Sequence, residues 1–147
     1  MSVYKYFFII SPWILQNLIW IPTRLSLIFF GHIKIYGLEN LKNLSKEKGV
    51  IFAGNHSSEL DAVVLPASLS MFSKFLPMFY ASREKSFYTR SGLMQYLYGG
   101  VIFKLWGAHQ VYSGLKNYEQ SLANHINLLE LKQSMYIFPE GKISRDG

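Results

Sequence analysis

Apolar and aromatic residues are densest near the amino terminus, over residues 3–30. Residues 6–23 contain no charged side chain, and Lys5 and Arg24 flank them. A helix that crosses a bilayer needs about 20 apolar residues, so this stretch is of borderline length. It is also interrupted by two prolines and two central amides, Pro12, Pro22, Gln16 and Asn17. The pattern predicts a membrane-associated helix or helical hairpin over residues 1–31, embedded in one leaflet and broken near Pro22; a buried core helix is the alternative.

Beyond Gly31, short apolar runs alternate with longer helix-like segments. The runs are typical of strands and occupy residues 32–37, 50–54, 75–82, 107–112 and 134–138. Helices are predicted from Ser57 or Ser58 to residue 72, over residues 86–100, and over residues 115–132. The last of these has an apolar stripe made of Leu115, Tyr118, Leu122, Ile126 and Leu129. Alternating strands and helices predict an α/β domain over residues 32–147, with a mostly parallel central sheet flanked by helices.

The composition narrows the classes of partner. Charged residues are 16% of the chain, below the usual 25% or so of soluble proteins, and the formal net charge is +6. A basic chain rich in apolar residues fits a membrane surface or an anionic substrate. The basic residues are scattered, which argues against nucleic acid. Without cysteine, and without histidines at metal-binding spacing, neither a thiolate nucleophile nor a metal site is predicted.

The segment NHSSELD, residues 55–61, follows the apolar run that ends at Gly54 and contains the candidate catalytic pair. One interpretation is structural: Ser57 and Ser58 cap a helix, and Asp61 bonds backbone N–H groups in its first turn. The other is catalytic. If His56 lies in the turn after the strand and Asp61 in the first helical turn, the carboxylate orients the imidazole as a general base. The pair alone does not decide between them.

A second segment, IFPEGKIS, residues 137–144, lies far downstream. In this order and at this separation, the two segments resemble the N-H-x4-D and F-P-E-G-T-R-S blocks of the glycerolipid, or lysophosphatidic acid, acyltransferase (PlsC-like) family. The segment IYGLENL, residues 35–41, is similar to the lead-in of that family. The resemblance covers residues 32–147.

The resemblance implies transfer of an acyl group from acyl-CoA or acyl-carrier protein to a hydroxyl of a lysophospholipid or related glycerolipid, with no metal or other cofactor. His56 would be the general base and Asp61 the residue that orients it. The residues expected to bind substrate are Asn55, Phe138, Pro139, Glu140, Gly141, Lys142 and Ser144. Such an enzyme would be membrane-associated, with its active site on the cytoplasmic side and membrane lipids as its partners.

The chain departs from the family pattern at two phosphate-binding arginines. Ile143 occupies the position of one, and Tyr112 or Ser113 that of the other. Lys142, Arg145 or Lys116 could replace them, or the acceptor lacks a glycerol phosphate head; His109 is a further candidate contact. The missing arginines and the end at Gly147 suggest a C-terminally truncated domain. They leave two alternatives open, a non-catalytic membrane-bound remnant and a hydrolase that uses the same pair of residues.

Overall fold

The computed structural model of the chain describes residues 3–45, 49–58, 60–83, 100–112, 114–141 and 143–144. Within these residues it shows an α/β domain with a parallel four-stranded sheet and flanking helices, which confirms the predicted fold class. The elements, in chain order, are α1 (Val3–Phe29), a 3-10 helix (Leu38–Asn43), β1 (Val50–Ala53), α2 (Asp61–Ser68), β2 (Met78–Ser82), α3 (Val101–Trp106), β3 (Ala108–Gln110), α4 (Tyr118–Ser121), α5 (Ala123–Glu130) and β4 (Ser134–Ile137).

The strand order is β1-β4-β2-β3, so the last strand along the chain pairs with the first. Tyr136 of β4 lies beside Phe52 of β1 on one side and Tyr80 of β2 on the other. In a parallel sheet the carboxyl ends of all strands lie at the same edge. The loop that follows β1 therefore adjoins the loop that follows β4, although more than 80 residues separate them in sequence.

The sheet has an apolar core on each face. On one face, buried residues including Met78, Tyr80 and Tyr136 pack with Ala62 and Leu65 of α2. On the other, Phe79 and Met135 pack against Leu128 of α5. Successive strand residues alternate between these faces, as a sheet covered by helices on both sides requires.

The segment α1 is one continuous helix that contains both Pro12 and Pro22, so the predicted helical hairpin is wrong. The two central amides face the domain: Gln16 is 1% exposed and Asn17 is 5% exposed. The Gln16 amide bonds Met78 at the start of β2 in both directions, donating to the carbonyl oxygen at 2.8 Å and accepting from the N–H at 2.9 Å. Among the described residues, no helix has the length and hydrophobicity needed to cross a membrane.

The predicted strands after residue 49 are confirmed, although each is shorter than its apolar run. The strand predicted over residues 32–37 is wrong. The chain turns at His32, where φ is +45°, and the Ile33 N–H bonds the Leu27 carbonyl oxygen at 3.0 Å. These residues therefore close the end of α1 instead of joining the sheet. The helix predicted over residues 86–100 lies almost wholly outside the described residues.

The helix predicted over residues 115–132 is two short helices, α4 and α5, because the chain leaves helical geometry at Leu122. The predicted apolar stripe is wrong at Tyr118, which is 83% exposed, and at Ile126, which is 37% exposed, whereas Leu129 packs against the core. The buried positions are instead Ser121, His125 and Leu128. The buried positions therefore have the helical spacing that the sequence predicted, but each lies one residue earlier in the chain.

Two histidines pack together on the same side of the sheet as Phe79: His125, which is buried on α5, and His109, which is half-buried on β3. His125 Nε2 lies 3.2 Å from the His109 carbonyl oxygen, and the two ring centroids are 6.4 Å apart. Burial lowers the pKa of His109 to about 4, and the nearby His125 and Lys104 add to this. Burial also lowers the pKa of His125, although its backbone hydrogen bonds partly oppose the shift. Both rings are therefore neutral in the folded protein at neutral pH.

These histidines should make the fold sensitive to mild acid. Unfolding restores their ordinary pKa of 6.5, so the unfolded chain binds more protons below that value. The free energy of unfolding should therefore be fully retained above pH 6.5 and fall as the pH drops towards 4, by roughly 1–2 kcal/mol at pH 5. Urea titrations at several pH values measure this fall. Between pH 7.5 and pH 5, the free energy of unfolding of His109→Phe should fall by less than that of the wild type, each protein being compared with its own value at pH 7.5. An equal fall in the two proteins would contradict this account.

Candidate active site

The two sequence segments meet at the carboxyl edge of the sheet because β1 and β4 are neighbours. The His56 N–H donates to Glu140 Oε2 at 2.9 Å, and the Ser144 N–H donates to the His56 carbonyl oxygen at 2.7 Å. The Gly54 N–H also bonds the Ile137 carbonyl oxygen at 3.3 Å. The loop after β1 and the loop after β4 thus form one bonded unit around His56.

The Asp61 carboxylate holds the imidazole of His56. Asp61 Oδ2 lies 3.0 Å from His56 Nδ1, and it also accepts the backbone N–H groups of Ser57 at 2.9 Å and Ser58 at 3.0 Å. Asp61 is the first residue of α2, so the helix begins three or four residues later than predicted. The structural and catalytic interpretations of this carboxylate are therefore compatible, since one oxygen anchors the turn and orients the ring.

The charge state of Asp61 determines the tautomer of His56. Partial burial raises the pKa of Asp61, but the hydrogen bonds from His56, Ser58 and Ser57 outweigh it, so the pKa lies below its ordinary value of 3.8. An ionised carboxylate can only accept, so Nδ1 must carry the proton that it shares with Asp61. Nε2 then presents a lone pair, and no hydrogen bond to it is formed from the described residues. This is the arrangement of a general base.

Phe138 packs directly on this imidazole. The two ring centroids are 4.0 Å apart, and the ring planes are inclined by 25°. Phe138 in turn contacts Tyr136 of β4, with ring centroids 5.0 Å apart. The stacked ring restricts rotation of His56, and it covers one face of the imidazole with apolar surface.

The turn after Phe138 consists of exposed residues. Glu140 uses Oε2 to hold the His56 backbone. Gly141 has φ of +65°, and a Cβ there would contact nothing within 4 Å of the described structure. The left-handed backbone conformation, and not lack of space, therefore explains this glycine.

A comparison with protein-family models finds one match, to the acyltransferase family, over residues 32–147. The match covers well over half of the chain. The chain belongs to the acyltransferase family. The PlsC-like resemblance that the two segments carry is therefore confirmed. No curated protein and no solved structure gives a significant match.

The other substrate-binding candidates of the acyltransferase domain are placed as follows. Asn55 and Pro139 are exposed on the two loops, and Ser144 is half-buried and joined to His56 through its backbone. Ser58 Oγ accepts the Leu60 N–H at 3.1 Å in the turn before α2. The N-cap residue of α2 is Leu60 and no side chain caps the helix, so the predicted capping by Ser57 and Ser58 is wrong. Lys142 lies outside the described residues, as do Ser113 and Arg145. Within the described chain, no cluster of three or more His, Cys, Asp or Glu side chains could hold a metal ion.

One cation at this edge was missed by the sequence interpretation. Arg83 directly follows β2, and its Nη2 donates to the Gly141 carbonyl oxygen at 2.6 Å. The only signal for it in the sequence is its position after a strand, where charged residues are common. By contrast, Ile143 and Tyr112 are exposed apolar and aromatic side chains, and Lys116 is exposed between β3 and α4. His109 is half-buried beside Phe79 and does not join the loops around His56.

A groove of about 430 Å³ lies between the 3-10 helix and the loop that precedes β2. Leu38, Leu41, Leu69 and Phe75 are among the residues that line it, together with Lys42 and Lys74. None of its lining residues belongs to the loops that carry His56 and Phe138. The groove is therefore separate from the candidate site around His56.

Proposed function

We propose that this acyltransferase domain moves a fatty acyl group from a thioester, acyl-CoA or acyl-carrier protein, to a hydroxyl of a lysophospholipid or related glycerolipid. The observation that carries the proposal is the bond between His56 Nδ1 and Asp61 Oδ2 at 3.0 Å, beside the turn that contains Phe138 and Glu140. It leaves Nε2 with a lone pair at the carboxyl edge of a parallel sheet, where open α/β folds bind their ligands.

In the proposed reaction, Nε2 of His56 takes the proton of the acceptor hydroxyl while that oxygen attacks the thioester carbonyl carbon. The C–S bond then breaks, the ester forms, and the proton passes from His56 to the departing thiolate. Asp61 stabilises the imidazolium that exists between these two proton transfers. Neither a metal nor an acyl-enzyme enters the step, and no external oxidant or reductant is needed.

The proposed acceptor has an anionic head group. Arg83 brings a guanidinium to the same loop as Glu140 and Gly141, in a domain that lacks two arginines of the family pattern. A guanidinium binds phosphate oxygens in bidentate fashion, so Arg83 is suited to this role. Asn55, Lys142 and Ser144 are the further residues proposed to contact the substrates.

An assay of thiol release and lipid products tests the proposal. Purified protein is incubated with acyl-CoA or acyl-carrier protein, with and without a panel of lysolipids, and the products are separated by mass spectrometry. We expect thiol release that requires the acceptor and yields a diacyl product. Thiol release without any acceptor would instead identify a hydrolase. Binding of lysolipid with no thiol released from either donor would identify a non-catalytic relative.

We also propose that α1 places the domain on a membrane, with the active site on the cytoplasmic side. Gln16 and Asn17 of α1 face the domain, whereas its outward face is mostly apolar. Residues on that face recur at helical spacing and are each about half exposed or more: Phe7, Ile10, Ile14, Leu18, Ile21, Leu25 and Ile28. Exposure of an apolar stripe of this length to water is unfavourable, and burial in the lipid interface would remove the stripe from water.

Leu18→Glu should weaken binding to vesicles of anionic phospholipid. Leu18 is 70% exposed, so its loss should leave the fold intact. Burial of such a side chain in lipid contributes about 1.5–3 kcal/mol, so the partition coefficient should fall at least tenfold. Flotation of the protein with vesicles measures it. The matched control is Tyr118→Glu on α4, where Tyr118 is 83% exposed and the change in charge is the same. Equal binding by the two variants would contradict the role of α1.

A further inference from the structure

Helix α2 contains a proline that frees one of its carbonyl groups. In a regular helix the carbonyl oxygen of residue 62 accepts the N–H of residue 66. Here residue 66 is Pro66, which has no N–H and whose ring displaces the carbonyl four residues earlier. The Ala62 carbonyl is therefore left without its helical partner. Because it lies in the half-buried first turn, leaving it unbonded would be costly.

Two side chains from other elements bond this carbonyl. The Tyr80 hydroxyl of β2 donates to the Ala62 oxygen at 2.9 Å, and Trp106 Nε1 of α3 donates to the same oxygen at 3.1 Å. Tyr80 is buried, and its pKa lies well above the ordinary value of 10.0 because of burial and of Tyr136, so the hydroxyl keeps its proton. The indole N–H can only donate. Both carbonyl lone pairs are thus matched by fixed donors.

The bonded carbonyl lies one residue from Asp61. The first turn of α2 has no side-chain cap of its own, since Leu60 occupies the N-cap position. From this geometry we infer that Tyr80 and Trp106 are positioning residues, which fix the first turn of α2 so that Asp61 Oδ2 stays within 3.0 Å of His56 Nδ1. The inference rests on the proposed role of His56 as a general base. Pro66 would thus affect catalysis indirectly, because it frees the Ala62 carbonyl that Tyr80 and Trp106 bond.

The competing interpretation is that these bonds only stabilise the fold. The chain offers a matched control, because Trp20 Nε1 donates to the Leu69 carbonyl oxygen at 3.0 Å, at the opposite end of the same helix. Trp20→Phe therefore removes the same kind of hydrogen bond from α2 without affecting the turn that carries Asp61. Trp106→Phe and Tyr80→Phe remove the two bonds to Ala62, singly and together.

In the double variant we expect kcat to fall about 10- to 100-fold with KM changed less than about threefold, because a small displacement of Asp61 misaligns the base without removing a substrate contact. The low-field NMR signal of the His56 Nδ1 proton should shift upfield or disappear. Trp20→Phe should leave kcat and this signal unchanged. Adding Pro66→Ala to the double variant restores an N–H to the Ala62 carbonyl, and it should recover part of kcat and of the signal. If the double variant does not fold, Tyr80→Phe alone gives the same comparison.

Two results would overturn the inference: a wild-type kcat and proton signal in Tyr80→Phe/Trp106→Phe, or the same losses in Trp20→Phe. The test is separable from that of the proposed function, because the proton signal does not depend on turnover. If the wild type transfers no acyl group, the proposed function fails, while the signal still shows whether Tyr80 and Trp106 hold Asp61 against His56. If the wild type is active and the variants match it, only the positioning role fails.

Discussion

Replacement of His56 by alanine should lower the rate of acyl transfer about 10²- to 10⁴-fold, which is the usual contribution of a general base. Among the described residues at this edge of the sheet, His56 is the only one with a ring nitrogen that can accept a proton and a carboxylate that orients the ring. No neighbour can therefore substitute for it. The backbone contacts of residue 56 to Glu140 and Ser144 do not involve the ring and should survive. The loss should therefore appear in kcat, with an unchanged free energy of unfolding to within about 1 kcal/mol.

Asp61→Asn separates the role of the carboxylate from that of the ring. An amide that donates its N–H to Nδ1 would place the imidazole proton on Nε2, where it cannot act as a base. We expect a loss of activity comparable to that of His56→Ala, with little further loss when the two changes are combined. His32→Asn, at an exposed histidine in the turn after α1, is the control and should turn over at the wild-type rate. Wild-type turnover by His56→Ala would exclude the proposed mechanism.

Much of this site could be predicted from the sequence because both segments follow short apolar runs. Such runs predict strands, and strands joined by helices predict a parallel sheet with its loops at one edge. The pattern could not show that β4 pairs with β1, and this pairing is what brings Phe138 and Glu140 against His56. Pairing order depends on the packing of the whole sheet, so only the family resemblance linked the two segments in advance.

The failures of sequence interpretation have a common physical origin. Local patterns report which residues are apolar but not which surface will cover them. The buried face of α1 carries Gln16 and Asn17, because Gln16 bonds the backbone of Met78 at the start of β2 and Asn17 accepts the N–H of Phe72 in the preceding loop. The buried face of α5 carries His125, which rests on the His109 carbonyl. In each case a polar side chain is buried through a hydrogen bond to a distant backbone group, which a local pattern of apolar residues does not predict.

Gly54→Ala should destabilise the domain by about 3 kcal/mol, at the upper end of the cost of overpacking a core. No positive φ is needed at Gly54; the constraint is space. A Cβ at this position would overlap the Tyr136 hydroxyl oxygen. Tyr136 cannot move away easily, because β4 is hydrogen-bonded to β1 and β2 and its ring contacts Phe138. Activity should fall as well, since a shift of Tyr136 is transmitted through Phe138 to the His56 ring.

Tyr136→Phe should relieve this clash, because it removes the one atom that blocks the space. The next nearest atom of residue 136 is then a ring carbon, Cζ, 3.1 Å from the added methyl group, a contact that a small shift accommodates. The double variant should thus be more stable than Gly54→Ala. Its loss of stability should be smaller than the sum of the losses in the two single variants, which is the sign of a favourable coupling. Urea unfolding of the wild type, both single variants and the double variant measures the coupling. Additive losses would mean that the Tyr136 hydroxyl does not fill the space above Gly54, and that β1 and β4 meet differently beside His56.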